Sequence, residues 1–178
     1  MPFTPGSIDP GSVLIAISQS GESADVLEAV RIAKGSGARV ISIVNMLLSS
    51  LAQESSQVLA MNCGPEIGVA ATKSFTAQLA VIYQIVDRLC HGCLKVDFGE
   101  ISHAISGILA DYHKIRKIAS ELRDSSDIYV LGRGVHHPIA AEAALKLKEL
   151  SYIHAEGIPG GELKHGPLAL MGPGTHWR

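Results

Sequence analysis

The chain has 178 residues, 47% of them hydrophobic and 18% charged, with a formal net charge of −2. That length can bury a real core as one medium domain or two small ones, and the composition excludes a disordered chain. The near-neutral balance, the scattered basic residues and only three Phe, four Tyr and one Trp for base stacking argue against nucleic-acid binding.

In chain order, Met1-Pro-Phe-Thr-Pro-Gly6 has no charged leader followed by an apolar run, so a cytoplasmic protein is expected. Val13 to Ile17 is a continuous apolar run between Gly11 and a Ser/Gly loop and reads as a buried strand. Ala24 to Lys34 has helical periodicity through Val26, Leu27, Val30 and Ala33, ended by Gly35 and Gly37. Val40 to Val44 reads as a second buried strand, Ser49 to Ser55 as a short helix and Val58 to Met61 as a third strand. This alternation predicts a parallel α/β sheet flanked by helices.

Thr72 to Leu89 is expected as a long apolar helix. Its most apolar part, near Leu79 to Leu89, is broken by Gln84, Asp87 and Arg88 and is too short to span a bilayer. Three cysteines make no disulfide framework. Cys90-His-Gly-Cys93 lacks the further ligands of a zinc site and a thioredoxin-like setting, and is expected only to mark a frayed helix end with Gly92 as stop signal. Asp97 to Asp124 reads as helix with a break near Gly107. Asp127 to Leu131 is another buried strand, leading through Gly132-Arg-Gly134 into a helix from about Pro138. The second half therefore restarts a strand–loop–helix unit, and the boundary is expected at Asp97 to Ile101.

Three segments carry polar groups that invite chemistry. Ser18-Gln-Ser-Gly-Glu-Ser23 joins a strand to a helix, where hydroxyls and backbone N–H groups at the positive end of the helix can hold a phosphate. Plain helix capping by Ser20 or Ser23 explains the same residues. Gly64-Pro-Glu-Ile-Gly-Val-Ala-Ala-Thr-Lys73 is a loop entering a helix; Glu66, Lys73 and Arg133 read equally as surface charges. On the last helix Glu142, Lys146 and Glu149 fall within about 60° of one another at ~100° per residue, amid Ala and Leu. Such a narrow charged stripe suits either surface ion pairs or a buried acid–base site. Gly157-Ile-Pro-Gly-Gly161 is expected as a loop, leading to His165 beside Gly166-Pro167. The adjacent His136 and His137 at a helix start make no metal site.

Taken together in this order, the Ser18, Gly64 and Glu142-to-Pro167 segments resemble the sugar-isomerase (SIS) domain of the glutamine–fructose-6-phosphate aminotransferases, over about Val13 to Met171. The resemblance implies an α/β fold of two nested SIS subdomains, residues 1–96 being the C-terminal part of the first and 97–178 the N-terminal part of the second. It implies that Ser18, Gln19, Ser20 and Ser23 hold the phosphate of a hexose 6-phosphate, with backbone contacts from Val69 and Ala71. Glu149 would be the base moving a proton between C1 and C2, Lys146 would assist, and His165, contributed by a neighbouring subunit, would open the sugar ring. The partners implied are fructose 6-phosphate, glucosamine 6-phosphate and a second copy in a homodimer, with no cofactor or metal.

The chain departs from the family at Ala71, where the family has serine, and at Leu48, where a glycine usually allows φ > 0 and leucine would be strained. The family also has a helix and a Gly-Thr-Ser loop before the first motif, a tail lysine that forms an imine, and an N-terminal glutaminase domain. The resemblance therefore implies an internal fragment of a longer enzyme. The alternatives are a non-catalytic sugar-phosphate-binding SIS module and an inactive remnant of the synthase.

Overall fold

The computed structural model describes residues 8–172 and the backbone of residues 175–177. The chain forms two compact units that meet in sequence between Val96 and Asp97.

In the first unit, β1 (Val13–Ser18), β2 (Arg39–Val44) and β3 (Gln57–Ala60) form a parallel sheet in the order β1-β2-β3. β2 is central, and Val40, Ser42, Ile43 and Val44 are fully buried. β1 departs from the expectation of a buried strand. As an edge strand it buries Ala16 and Ser18, while Val13, Ile15 and Ile17 on its other face are 51%, 47% and 37% exposed. A run of apolar residues does not report whether both faces of a strand are covered.

The crossover from β1 to β2 is α1 (Ala24–Gly35), which buries Val30 and Ala33 against the sheet; α2 (Ser50–Glu54) buries Leu51 beside them. The Ser49 hydroxyl caps α2 by accepting from the Ala52 N–H. Leu48 is exposed and is not among the residues with positive φ, so the strain expected there does not arise. A long α3 (Lys73–Leu89) follows β3 and a loop. Among the described residues no helix is long and apolar enough to cross a membrane.

The second unit begins with α4 (Phe98–Ala110) and α5 (Tyr112–Leu122). Asp97 starts α4 by accepting from the Gly99 and Glu100 N–H groups. The break between these helices falls at Asp111, not Gly107. Glycine inside a helix costs about 1 kcal/mol yet keeps its N–H. The chain instead leaves helical geometry at Asp111 (ψ 47°), whose own N–H still reaches Gly107 O.

β4 (Asp127–Gly132) lies between β5 (His154–Pro159) and β6 (Thr175–Trp177), all parallel, with α6 (His137–Ser151) connecting β4 to β5. Two features differ from expectation. β6 was not foreseen, because three residues give no periodicity to read. β5 runs through Gly157, Ile158 and Pro159, where Gly and Pro had suggested a loop. The glycine answers a tertiary need. A Cβ on Gly157 would lie 2.5 Å from Ala141 Cα, so its absence lets α6 lie directly on the strand. Small residues on α6 complete the contact: Ala140 and Ala144 are buried.

Candidate active site

The first candidate element is the turn from β1 into α1. Ser18 is buried, and its hydroxyl accepts from the Gly21 N–H at 3.0 Å and lies 3.2 Å from the Ser23 hydroxyl. Ser20 Oγ accepts from the Glu22 N–H at 3.2 Å. Ser23 is the N-cap residue of α1 but makes no side-chain cap bond. That weakens the capping explanation, since the first-turn N–H groups of a helix need partners from outside it. The Ser18 and Ser23 hydroxyls therefore meet at that helix start, with Ser20 in the same turn, a suitable arrangement for an anion.

The turn is fastened to its own unit. Gln19 O accepts from Asn45 N–H (3.2 Å) and Gly21 O from Leu51 N–H (3.0 Å). Gly21 has φ +70°, and a Cβ there would sit 2.1 Å from Ser49 Oγ. Only glycine satisfies both the backbone and the space. Glu22 reaches across to Ser50, accepting from its N–H and its hydroxyl, each at 2.8 Å. The Ser50 N–H, then its hydroxyl, hold the Glu22 carboxyl below its ordinary pKa.

The loop after β3 is pinned at both ends. Asn45 donates to Gly64 O at 2.7 Å and accepts from the Cys63 N–H at 3.3 Å. At the other end the Glu66 carboxylate accepts from the Ser74 N–H (2.9 Å) and the Thr72 hydroxyl (3.2 Å), so it caps α3. Between these anchors Val69 is exposed, Ala70 buried and Ala71 half-buried. Asn45, Met46, Asn62, Gly64 and Pro65 line a hollow of about 410 Å³ beyond the carboxyl ends of β2 and β3. Ligands of open parallel α/β sheets bind at that end.

Ser74, through its hydroxyl and then its N–H, lowers the Glu66 pKa from 4.5 to about 2, although only the N–H has hydrogen-bond geometry and the buried hydroxyl makes no hydrogen bond, so the direction rests on the N–H. A depressed carboxylate contributes stability that is present above its unfolded value and lost as pH falls through its folded value. The deficit of Glu66→Gln relative to the parent protein should therefore be full above pH 4.5 and shrink towards pH 2. Urea melts of both proteins across that range check this; a deficit constant with pH would remove Glu66 as an ionised cap.

In the second unit the charged stripe forms as its spacing suggests. Lys146 Nζ lies 3.4 Å from Glu142 Oε1 and 2.6 Å from Glu149 Oε2. The Lys146, Glu142 and Glu149 side chains are 20%, 26% and 28% exposed. Glu149 is thus partly buried, between the surface ion pair and the buried acid–base site that its spacing leaves open, with Leu145 and Leu150 exposed on the same helix. The hydrogen bond to Glu149, opposed by burial and aided by Glu142, raises the Lys146 pKa and keeps it an ammonium. His165 is exposed in the turn after β5, its N–H donating to Glu162 O at 2.9 Å. Among the described residues no group of three or more His, Cys, Asp or Glu is placed to hold a metal ion.

The model of the SIS domain matches residues 4–88 and 121–176, which is most of the chain. The chain belongs to the SIS domain family. SIS relatives include glutamine–fructose-6-phosphate aminotransferase (isomerizing) of Thermotoga maritima, 46% identical over 173 residues, covering 92% of this chain and 28% of the relative. The corresponding protein of Pyrococcus horikoshii is 44% identical over 174 residues, covering 94% of this chain and 29% of the relative. This SIS chain therefore spans under a third of the length of the curated relatives it matches. Among solved structures, the C-terminal domain of glucosamine-fructose-6-phosphate aminotransferase from Francisella tularensis superposes with a TM-score of 0.82 at 38% identity, covering 98% of this chain and 52% of that one.

The sequence alone does not single out two fastening residues of this SIS chain, Glu22 and Asn45, and it leaves Glu66 open between a site residue and a surface charge. Glu22 stood inside a highlighted motif, yet its partner Ser50 is 28 residues away. A carboxylate just before a helix start was the available signal for Glu66.

Proposed function

We propose that this chain carries the sugar-isomerising function of glutamine–fructose-6-phosphate aminotransferase, in which fructose 6-phosphate and ammonia give glucosamine 6-phosphate and water. The observation that carries the reading is the Lys146 ammonium held 2.6 Å from the Glu149 carboxylate on a half-buried helix face. Its raised pKa makes Lys146 a poor base and a good counter-charge. The roles then divide naturally. Glu149 takes the proton next to the sugar carbonyl and returns it to the neighbouring carbon. Lys146 offsets the negative charge that develops on the enediol oxygens. His165, contributed by the second copy in a homodimer, opens the sugar ring.

Ser18, Gln19, Ser20 and Ser23 hold the phosphate, and the loop through Val69 and Ala71 lines the sugar. The Ala71 methyl supplies no hydroxyl, so that contact is through backbone. The units are read as parts of the first and second SIS subdomains, acting in the cytoplasm without metal or organic cofactor. The aminotransferase name of the relatives, and the hydroxyls and helix start gathered at the β1–α1 turn, support this reading.

Calorimetry tests the binding half. Fructose 6-phosphate should bind, and unphosphorylated fructose far more weakly. Removing two hydroxyls with Ser20→Ala and Ser23→Ala should weaken binding by about 1–3 kcal/mol, at roughly 0.5–1.5 kcal/mol per neutral hydrogen bond. Equal affinity for the two sugars would end the assignment of the serine turn to phosphate.

A further inference from the structure

The structure departs most sharply from sequence expectation at the end of α3. Cys90 and Cys93 are joined by a disulfide. The two residues between them explain how. His91 (φ 54°) and Gly92 (φ 81°) are both left-handed, so the chain reverses and returns Cys93 over the helix end. Gly92 does stop the helix, as its type suggests. What the residue types did not disclose is that the stop also folds the second cysteine back onto the first.

The reversed segment is tied to the last helical turn at successive residues. The His91 N–H donates to Arg88 O at 3.2 Å and the Gly92 N–H to Asp87 O at 2.7 Å. The Cys93 N–H donates to Cys90 Sγ at 3.2 Å, and the Leu94 N–H to the Asp87 carboxylate at 3.1 Å. Cys93 is exposed and Cys90 half-buried, so a small thiol can reach the bond from the Cys93 side. The third cysteine, Cys63, is a free thiol in the loop after β3, engaged with Asn45 Oδ1 at 3.3 Å.

We propose that Cys90–Cys93 is a thiol–disulfide exchange site for small dithiols, whose oxidised form fastens the C-terminal turn of α3. The thiolate of the dithiol attacks Cys93 Sγ, forming a mixed disulfide and releasing Cys90 as a thiolate that takes up a proton. The second thiol of the dithiol then attacks its own sulfur in the mixed disulfide, releasing Cys93 and closing a cyclic disulfide. Two electrons and two protons pass from the dithiol to the protein. Position sets the balance. Cys90 sits at the carbonyl end of a helix, the negative end of its dipole, and the Asp87 carboxylate lies in the same turn. Arg88 is the basic residue of that turn and offsets this in part. Oxidoreductase CxxC pairs place the attacking cysteine at a helix N-terminus, where the thiolate is favoured. Here the pair lies at the opposite end of its helix, where the dipole gives the thiolate no such support and the bonded form is favoured over the open dithiol.

The test uses the whole chain. It is equilibrated with excess oxidised dithiothreitol, then alkylated with iodoacetamide under native conditions before and after reduction by dithiothreitol. Intact mass should show one alkylated cysteine, Cys63, before reduction and three after it. Hydrogen exchange at the amides of residues 90–94 should speed up on reduction, on the order of tenfold. Cys90→Ser combined with Cys93→Ser should reproduce the reduced exchange pattern without any thiol present at the site. Three alkylated cysteines in the oxidised sample, or a disulfide that includes Cys63, would overturn the proposal. So would a bond that opens with no change in exchange at residues 90–94.

Discussion

Replacing Glu149 by Gln should slow interconversion of fructose 6-phosphate and glucose 6-phosphate by about 10²–10⁴-fold, the usual cost of losing a general base. Binding of fructose 6-phosphate should persist, because the residues assigned to the phosphate lie at the β1–α1 turn. Glutamine keeps the size of the side chain and can still meet Lys146, so the helix should fold. What disappears is the ability to accept a proton from carbon. Coupled-enzyme assays of isomerisation, alongside calorimetry of the same sample, separate the two effects. A parent protein that binds but does not isomerise would favour the non-catalytic SIS module. An active parent with an equally active Gln variant would remove Glu149 from the mechanism and leave the stripe as a set of ion pairs.

The largest effect on stability is expected at Gly157. Valine there would put a side chain where a Cβ already meets Ala141 Cα at 2.5 Å and Ala141 N at 2.6 Å. The obstacle is helix backbone, which cannot step aside as a side-chain tip can. Either α6 lifts from β5 or the strand shifts its register along β4, and each uncovers Ile158 and Ala155, which are 3% and 1% exposed. A loss of about 3 kcal/mol, the upper end of the usual cost of overpacking, is expected because backbone is the obstacle. Urea denaturation of Gly157→Val should show a lower midpoint. Gly161→Val is the control, since a Cβ at Gly161 meets nothing within 4 Å. Equal midpoints for the two variants would refute the close-approach account of β5.

The sheets were readable in the sequence wherever a strand is a run of branched apolar residues. Val40 to Val44 carries that signal because both faces of β2 are buried. β5 hid because its glycine serves α6, a neighbour that local pattern does not mention. β6 hid because three residues carry no period. Within the candidate site, spacing alone placed Lys146 between two carboxylates, since i,i+3 and i,i+4 neighbours are a property of the helix itself. The exposure of Glu149 was not readable, because it depends on what covers Leu145 and Leu150. Residue types hide the disulfide for the same reason as β5: they indicate a helix stop, while the reversal at His91 and Gly92 is a matter of φ.

The serine turn and the loop after β3 are held by polar fasteners at the rim: Glu22 on Ser50, Asn45 on Gly64 and Glu66 on Ser74. The hydrophobic core of that unit, Val30, Val40, Val44 and Leu51 among it, lies beneath them. These are two layers of different cooperativity. The rim can open by breaking a few solvent-reachable bonds while β2 stays paired, so its opening free energy lies well below that of the whole unit. Linkage then makes ligand affinity and rim order one quantity. Any anion that binds the closed turn more tightly than the open one draws Glu22, Asn45 and Glu66 into place, and any change that loosens one of them weakens binding without touching the ligand.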